Sequence, residues 1–275
     1  MPFCRLLSLV LTVPLFAATP PHHGEPRAFR VCADPNDMPY SDSARHGYEN
    51  RIAAVLAHDL GEPLEYAWFP QMRGFVRKSL NTGACDVIMG VPAHYDPVRT
   101  TRPYFRSTYA LVYRQHQLGQ LRSLDDPRLT HLRIGIHVIG DDYQNTPGAE
   151  ALAARGIVDG VVGFPIVGDY SRPAPAARLI EAVAHDSIDV AIAWGPLAGY
   201  FATRQRVPLT VVPLPDRPDA SGAQFAFDIA VGVRRDDAEL AATLDSLLVR
   251  ERPTIRRILL DYGVPLVDGG DQETK

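Results

Sequence analysis

Between Phe29 and Val91 the chain alternates short β-prone runs with helical faces, and that alternation leaves few folds open. Phe29-Arg30-Val31-Cys32-Ala33 is a β-prone run that ends at the turn cluster Asp34-Pro35-Asn36-Asp37. Residues 48–60 read as a helix, because Tyr48, Ile52, Val55 and Leu56 share one face and Gly61 closes it. Residues 64–69 are strand-like. Pro70 opens a second predicted helix with Phe75, Val76 and Leu80 on one face. Asp86-Val87-Ile88-Met89-Gly90-Val91 then reads as a strand buried on both sides. A βαβαβ series of this kind implies a sheet with helices packed on both faces.

A second unit repeats the design. Residues 132–137 form a predicted strand, 147–155 a short helix ended by Gly156, and 161–166 a further strand. Leu179, Ile180 and Val183 mark a helical face that leads into the apolar run Val190-Ala191-Ile192-Ala193-Trp194. Asp86 and Asp189 each stand directly before such a run, a weak internal echo of one architecture in two places. Two long β-prone runs, residues 107–113 and 226–233, flank the second unit, so the chain is expected to cross between two lobes twice. The expected organisation is α/β and two-lobed. One lobe spans 27–110 plus 227–263 and the other 111–226; each is a mixed, mainly parallel sheet flanked by helices. Residues 264–275 are expected to be a loose tail.

Residues 1–19 stand outside this pattern. Arg5 supplies one positive charge, residues 6–18 carry none, and Ala17, Ala18 and Thr19 are small, which is the order of a secretory signal. The apolar run is shorter than the roughly 20 residues that span a bilayer. Export, removal of 1–19 and a periplasmic mature protein without membrane insertion are expected. The charge balance of 28 Lys and Arg against 32 Asp and Glu argues against a nucleic-acid partner.

Export settles how the cysteines are read. Cys4 leaves with the signal, and Cys32 and Cys85 remain without any C-x-x-C spacing. Two cysteines in an oxidising compartment are expected to pair. Cys32 lies on the first strand and Cys85 opens the third, and those strands are neighbours in a doubly wound sheet, within reach of the usual ~5.5–6 Å Cα spacing. Catalytic signatures are missing: the chain has no H-E-x-x-H, P-loop, G-x-S-x-G or S-x-x-K. Neither His22-His23 nor Asp141-Asp142 has metal-ligand spacing. No enzyme activity, metal or cofactor is expected.

An exported chain with Asp34…Pro39-Tyr40, then Gly47-Tyr48-Glu49, then Leu80-x-x-Gly83-x-x-Asp86 resembles the family-3 periplasmic solute-binding proteins. That arrangement covers nearly the whole mature chain, and a narrower resemblance is stronger. Arg30 to Asn36, Cys85-Asp86-Val87-Ile88-Met89-Gly90-Val91-Pro92-Ala93, Thr101-Arg102-Pro103-Tyr104-Phe105, Asp141-Asp142…Asn145-Thr146-Pro147 and Trp194-Gly195-Pro196…Tyr200-Phe201 resemble the MoxJ/XoxJ-type proteins. That resemblance implies a type II periplasmic-binding-protein fold. It also implies an accessory role beside a quinoprotein dehydrogenase that uses pyrroloquinoline quinone (PQQ) to oxidise methanol or other alcohols. The implied partners are that dehydrogenase and its c-type cytochrome. Two other readings stay open: the receptor of an ABC importer for a small polar solute, and an enzyme resembling cyclohexadienyl dehydratase.

The departures from the amino-acid receptors matter. Those receptors follow their Asp strand with hydroxyl-bearing residues and an Arg that clamps the ligand carboxylate through a charge-assisted fork. Here Val91 and Pro92 stand where hydroxyls would sit, and Arg99 comes only four residues before Pro103. The candidate cleft is therefore assembled from strand ends, where open α/β sheets bind ligands. It comprises Asp34, Tyr40, Pro92, His94, Tyr95, Asp141, Asp142, Trp194 and Tyr200, with Tyr48, Glu49 and Arg99 added on the resemblance. Flat rings among a few charges suit a ring-bearing ligand or an apolar segment of a partner protein. Residues 71–114 also hold seven cations against Asp86 and Asp96. Within them Arg99, Arg102 and Arg106 are expected in an irregular stretch that offers a patch to an acidic partner.

Overall fold

The computed structural model describes residues 28–138, 146–166, 170–219 and 222–267. The predicted signal, the candidate residues Asp141 and Asp142, and the last eight residues of the expected tail lie outside the described residues. Strand β1 (Phe29–Ala33) runs into a small ribbon of β2 (Asn36–Asp37) and β3 (Ser41–Asp42), then helix α1 (Tyr48–Leu60) and β4 (Leu64–Trp68). After α2 (Phe75–Lys78) come β5 (Val87–Pro92), β6 (Arg99–Thr100) and the long β7 (Phe105–Arg114). The second unit holds β8 (Ile134–Val138), α3 (Pro147–Ala154), β9 (Val161–Pro165), α4 (Arg178–Ala184), β10 (Val190–Trp194), α5 (Gly195–Ala202) and β11 (Leu209–Pro213). The chain returns along β12 (Ala226–Val233) and ends with α6 (Ala238–Arg250) and α7 (Arg252–Asp261).

One ten-stranded sheet orders as β4-β1-β5-β12-β7-β10-β8-β9, with β6 beside β12 and β11 beside β7. Its wings are parallel: β1 pairs in parallel with β4 and β5, and β8 with β10 and β9. Its centre is antiparallel, because β7 and β12 are the two crossing runs. Residues 105–108 of β7 pair with β12, whereas its later residues pair with β10 and β11. The inner wing strands β5 and β10 are apolar along their whole length, as expected of strands covered on both faces.

Helix α1 buries Tyr48, Ile52, Ala53, Leu56 and Ala57, and Gly61 closes it in the left-handed conformation at φ 68°. That face packs with α6 and α7 on one side of the first wing, and Cys32, Phe75, Leu80 and Cys85 fill the other side. Ile52 and Leu56 are fully buried, and each contributes on the order of 2 kcal/mol of apolar burial. In the second wing α4 and α5 cover one side, and Leu121, Leu124, Leu129, Leu152 and Phe225 cover the other.

Three expectations change. The helix expected from Pro70 begins only at Phe75, because Gly74 adopts φ 83° and the preceding residues form turns. Strand β11 was not expected, since prolines bound its run. The tail expected from residue 264 is docked at least to 267. Val264 is 2% exposed, Ser107 Oγ donates to the Pro265 carbonyl at 2.7 Å, and Val267 N–H donates to the Arg106 carbonyl at 3.1 Å. Gly199 of α5 makes this docking close, because a Cβ there would stand 1.8 Å from the Gly263 carbonyl oxygen.

Candidate functional site

The carboxyl ends of the central wing strands converge on the crossing strands. Pro92 at the end of β5 is opposite Ile229, which pairs with Phe105, while Trp194 at the end of β10 is opposite Tyr109. Trp194 lies 5.4 Å from the Tyr109 ring and 5.9 Å from Phe227, and burial pushes the Tyr109 phenol up to about 12. Met38, Tyr40, Trp194 and Tyr200 pack against the cores of both wings, so they form the seam of the molecule.

The loop after β1 crosses that seam. Asp34 is 3% exposed, and its carboxylate accepts from the Asn36 N–H at 2.8 Å, the Gln71 N–H at 2.6 Å and the Tyr170 hydroxyl at 2.6 Å. Burial, reinforced by this carboxylate, holds the Tyr170 phenol well above its ordinary range. The Asn36 amide donates to the Arg172 carbonyl at 2.8 Å and accepts from the Ala174 N–H at 2.9 Å. Residues 34–36 therefore clasp 170–174 of the opposite wing.

Beneath the clasp lie two half-buried carboxylates. Glu49 rests over Gly90, where any Cβ would stand 2.0 Å from its Oε1. Burial raises Glu49 to about 8, with Asp37 adding to the shift. Burial raises Asp37 to about 7, with Asp34 adding. Tyr40 is pushed well up by burial and then by Asp37, Glu49 and Tyr109.

The other sequence candidates are placed differently. Tyr48 is 1% exposed and packs edge-on against Tyr40, Phe105 and Tyr262, so its ring belongs to the core rather than to a cleft wall. Tyr200 stacks on Tyr262 at 5.5 Å and carries the Arg204 guanidinium 3.5 Å from its ring centre, so the ring is committed within the chain. Pro92 at the end of β5 and His94 and Tyr95 in the turn after it are exposed, and His94 adopts φ 62°. Arg99 is brought nowhere near the seam. It pairs with Val233, which stands beside Val87 at the opposite end of β5, and its Nε donates to the Arg235 carbonyl at 2.9 Å. The irregular basic stretch also changes: Arg106 lies within β7 and is paired with Asp228 at 2.7 Å, and Arg99 lies on β6.

Asn36, Asp37, Tyr104, Tyr109, Tyr170 and Phe227 join the site without having been singled out. Asn36 and Asp37 stood in a turn cluster that reads as punctuation, and Tyr109 and Phe227 lay within the crossing runs. Cys32 and Cys85 are bonded, with Cα atoms 5.4 Å apart. Among the described residues no group of three or more His, Cys, Asp and Glu is placed to hold a metal ion. No helix among them is long and apolar enough to cross a membrane.

No family model matches the chain. It is similar to protein MoxJ of Methylorubrum extorquens, at 31% identity over 252 residues that cover 86% of this chain and 81% of that protein. Protein MoxJ of Paracoccus denitrificans is 28% identical, covering 86% and 88%. Among solved structures, the periplasmic binding protein XoxJ from Methylobacterium extorquens AM1 superposes with a TM-score of 0.74 at 34% identity, covering 88% of this chain and 100% of that one. MxaJ from Methlophaga aminisulfidivorans gives 0.76 at 27% identity, covering 87% and 100%. An ancestral cationic amino acid solute-binding protein gives 0.65 at 17% identity, a likeness of fold alone. The chain thus has the type II periplasmic-binding-protein fold and belongs to the MoxJ family.

Proposed function

We propose that this chain is an exported, non-catalytic accessory protein that assists the maturation, assembly or activation of a PQQ-dependent methanol or alcohol dehydrogenase. Its two lobes, 27–110 with 227–263 and 111–226, present the interlobe seam to that work. Membership of the MoxJ family supports the class of protein. The observation that carries the reading is the chemistry of the seam, which offers Tyr40, Tyr109, Trp194 and Phe227 with Asp37 and Glu49. Arg99, whose spacing already departs from the carboxylate clamp of the amino-acid receptors, lies at the far end of β5. Rings and carboxylates fit a protein surface or a cationic group better than an amino acid's carboxylate.

Deleting the gene is expected to abolish or strongly reduce PQQ-dependent alcohol dehydrogenase activity in the periplasm, and the tagged protein is expected to co-purify with the dehydrogenase. Full activity in the deletion strain would sink the reading. The importer reading draws support from the same two carboxylates, which are equipment for holding a solute. It predicts instead a growth defect on one solute with dehydrogenase activity intact.

A further inference from the structure

Strand β11 stands at an edge of the sheet. It pairs only with β7, and none of its residues is fully buried. Its ladder shows which backbone groups are already taken. Gln115 N–H donates to the Pro208 carbonyl at 3.0 Å, and Leu214 N–H donates to the Tyr109 carbonyl at 2.8 Å. Antiparallel pairing alternates, so Thr210 and Val212 also turn their N–H and C=O groups to β7. Leu209 and Val211 turn theirs away, and no strand among the described residues meets them. Natural edges are usually blunted by charge or proline. The run Leu209-Thr210-Val211-Val212 carries neither, and Pro208 and Pro213 only mark its ends.

A groove lies along the same edge. It is open, measures about 450 Å³ and is lined by Tyr113, Gln120, Arg122, Thr210, Val212 and Pro213. The strap on its other side is fixed from beneath. Leu121 is fully buried; its N–H donates to the Tyr113 hydroxyl at 3.3 Å, and its carbonyl accepts from that hydroxyl at 3.4 Å. Arg128 donates to the Gln120 carbonyl at 3.2 Å. Gln120 and Arg122, on either side of Leu121, are exposed.

Charge beside the groove has one sign. Residues 114–124 and 203–215 hold Arg114, Arg122, Arg204 and Arg206 and no Asp or Glu, in a chain of net charge −4. Arg114 is taken by Asp186 at 2.7 Å, and Arg204 by the ring and carbonyl of Tyr200. Arg122 and Arg206 have no ion pair or hydrogen bond among the described residues. Just beyond these segments Asp216 stands next to Arg217, and Asp125 and Asp126 are paired with Arg155 and Arg128.

We propose that β11 is a docking edge for an extended acidic segment of a partner protein, which adds to the sheet as one more strand. The segment's backbone exchanges hydrogen bonds with Leu209 and Val211. Side chains two residues apart on it face the groove, because strand side chains alternate. One brings a carboxylate to Arg122, and the other lays an apolar group on Val212. Main-chain pairing supplies affinity, and the groove supplies selection among sequences. The surface shares no lining residue with the interlobe seam, and the proposal does not depend on the dehydrogenase reading.

Fluorescence anisotropy of the purified protein with labelled, end-blocked peptides of sequence TVEVEVT and TVKVKVT tests it. The Glu peptide is expected to bind and the Lys peptide is not. Hydrogen exchange read by NMR should show new protection at the Leu209 and Val211 amides, with Thr210 and Val212 unchanged because β7 already holds them. Val211→Pro removes an outward donor at an edge position, where sheets tolerate proline, and is expected to abolish binding. Arg122→Gln is expected to weaken the Glu peptide by about tenfold or more, and Arg122→Glu to transfer preference to the Lys peptide. Because Arg122 is exposed and unpaired, these two variants decide the matter even if the proline variant does not fold. The proposal is overturned by equal binding of the two peptides, by equal competition from free glutamate, by protection confined to residues away from β11, or by no binding of the Glu peptide. Dimerisation in sedimentation that Val211→Pro removes also overturns it, since a second copy then occupies the edge. Every readout uses isolated protein, so the outcome is separable from dehydrogenase activity in the deletion strain.

Discussion

Glu49 occupies the first turn of α1, where a negative charge is favoured by the helix dipole, yet burial against Gly90 outweighs that effect and raises the carboxyl to about 8. The sign of the consequence follows from linkage. The folded chain holds the Glu49 proton over a range where the unfolded chain, with an ordinary value of 4.5, has released it. Folding stability therefore falls as pH rises from about 4.5 to about 8, with a slope of at most about 1.4 kcal/mol per pH unit from this group. Asp37 adds a similar loss that ends near pH 7. Glu49→Gln is expected to flatten the upper part of this decline and to be more stable than the parent at pH 8.5, as read by urea unfolding at pH 5 and 8.5. A parent curve that does not fall between those values would show that Glu49 is ionised at no cost. Such behaviour was only partly legible beforehand. Glu49 was singled out through its place beside Tyr48, but Asp37, in a turn cluster of the sequence, gives no sign there that it will be drawn into the seam on β2.

Strands and helices were the most legible level, because their apolar periodicities are local. The internal echo between Asp86 and Asp189 has a shared physical basis. The Asp86 carboxylate takes the Arg30 fork at 3.0 and 2.8 Å, and Asp189 takes Arg133 at 3.1 and 2.7 Å. In each wing an Asp before the inner strand thus holds an arginine on, or directly before, the neighbouring strand. The seam was less legible. Asn36 bonds to partners 136 and 138 residues away, and no local pattern reports so distant a contact. The spacing of Arg99 from Pro103 already spoke against a clamp, but its place in the cleft rested on the resemblance, and pairing of β6 with β12 carries it to the wrong end of the sheet. At the same level, the bond from Cys32 on β1 to Cys85 before β5 closes a separation of 53 residues. Both sulfurs sit in a core with Phe75, Leu80 and Ile88, at 2% and 0% exposure of their residues. By the chain-entropy estimate, a Cys32→Ala, Cys85→Ala double variant should lose about 4 kcal/mol, measured by denaturant unfolding under non-reducing conditions. The intact parent should show no alkylatable thiol at either position.

At the scale of the whole molecule, two sets of contacts hold the wings in their present relation, and they differ in character. Near the crossing strands the contacts are close and apolar: Gly199 against Gly263, Tyr200 on Tyr262, and Trp194 between Tyr109 and Phe227. Packing of that density resists continuous deformation. Across the mouth the described contacts include polar ones from Tyr170 to Asp34 and from Asn36 to Arg172 and Ala174. Each such hydrogen bond contributes about 1 kcal/mol net, somewhat more for the one to a carboxylate, and is exchanged for water more readily than close apolar packing is undone. Motion should therefore hinge on the crossing strands and open at the clasp, as in other two-lobed folds that close around a ligand. Removing the clasp with Asn36→Ala and Tyr170→Phe is expected to increase the radius of gyration in small-angle X-ray scattering and to leave the unfolding transition cooperative. Trp194 emission should shift to the red as water reaches the seam. If the double variant scatters as the parent does, the apolar seam alone sets the closed form, and the clasp has no part in gating it.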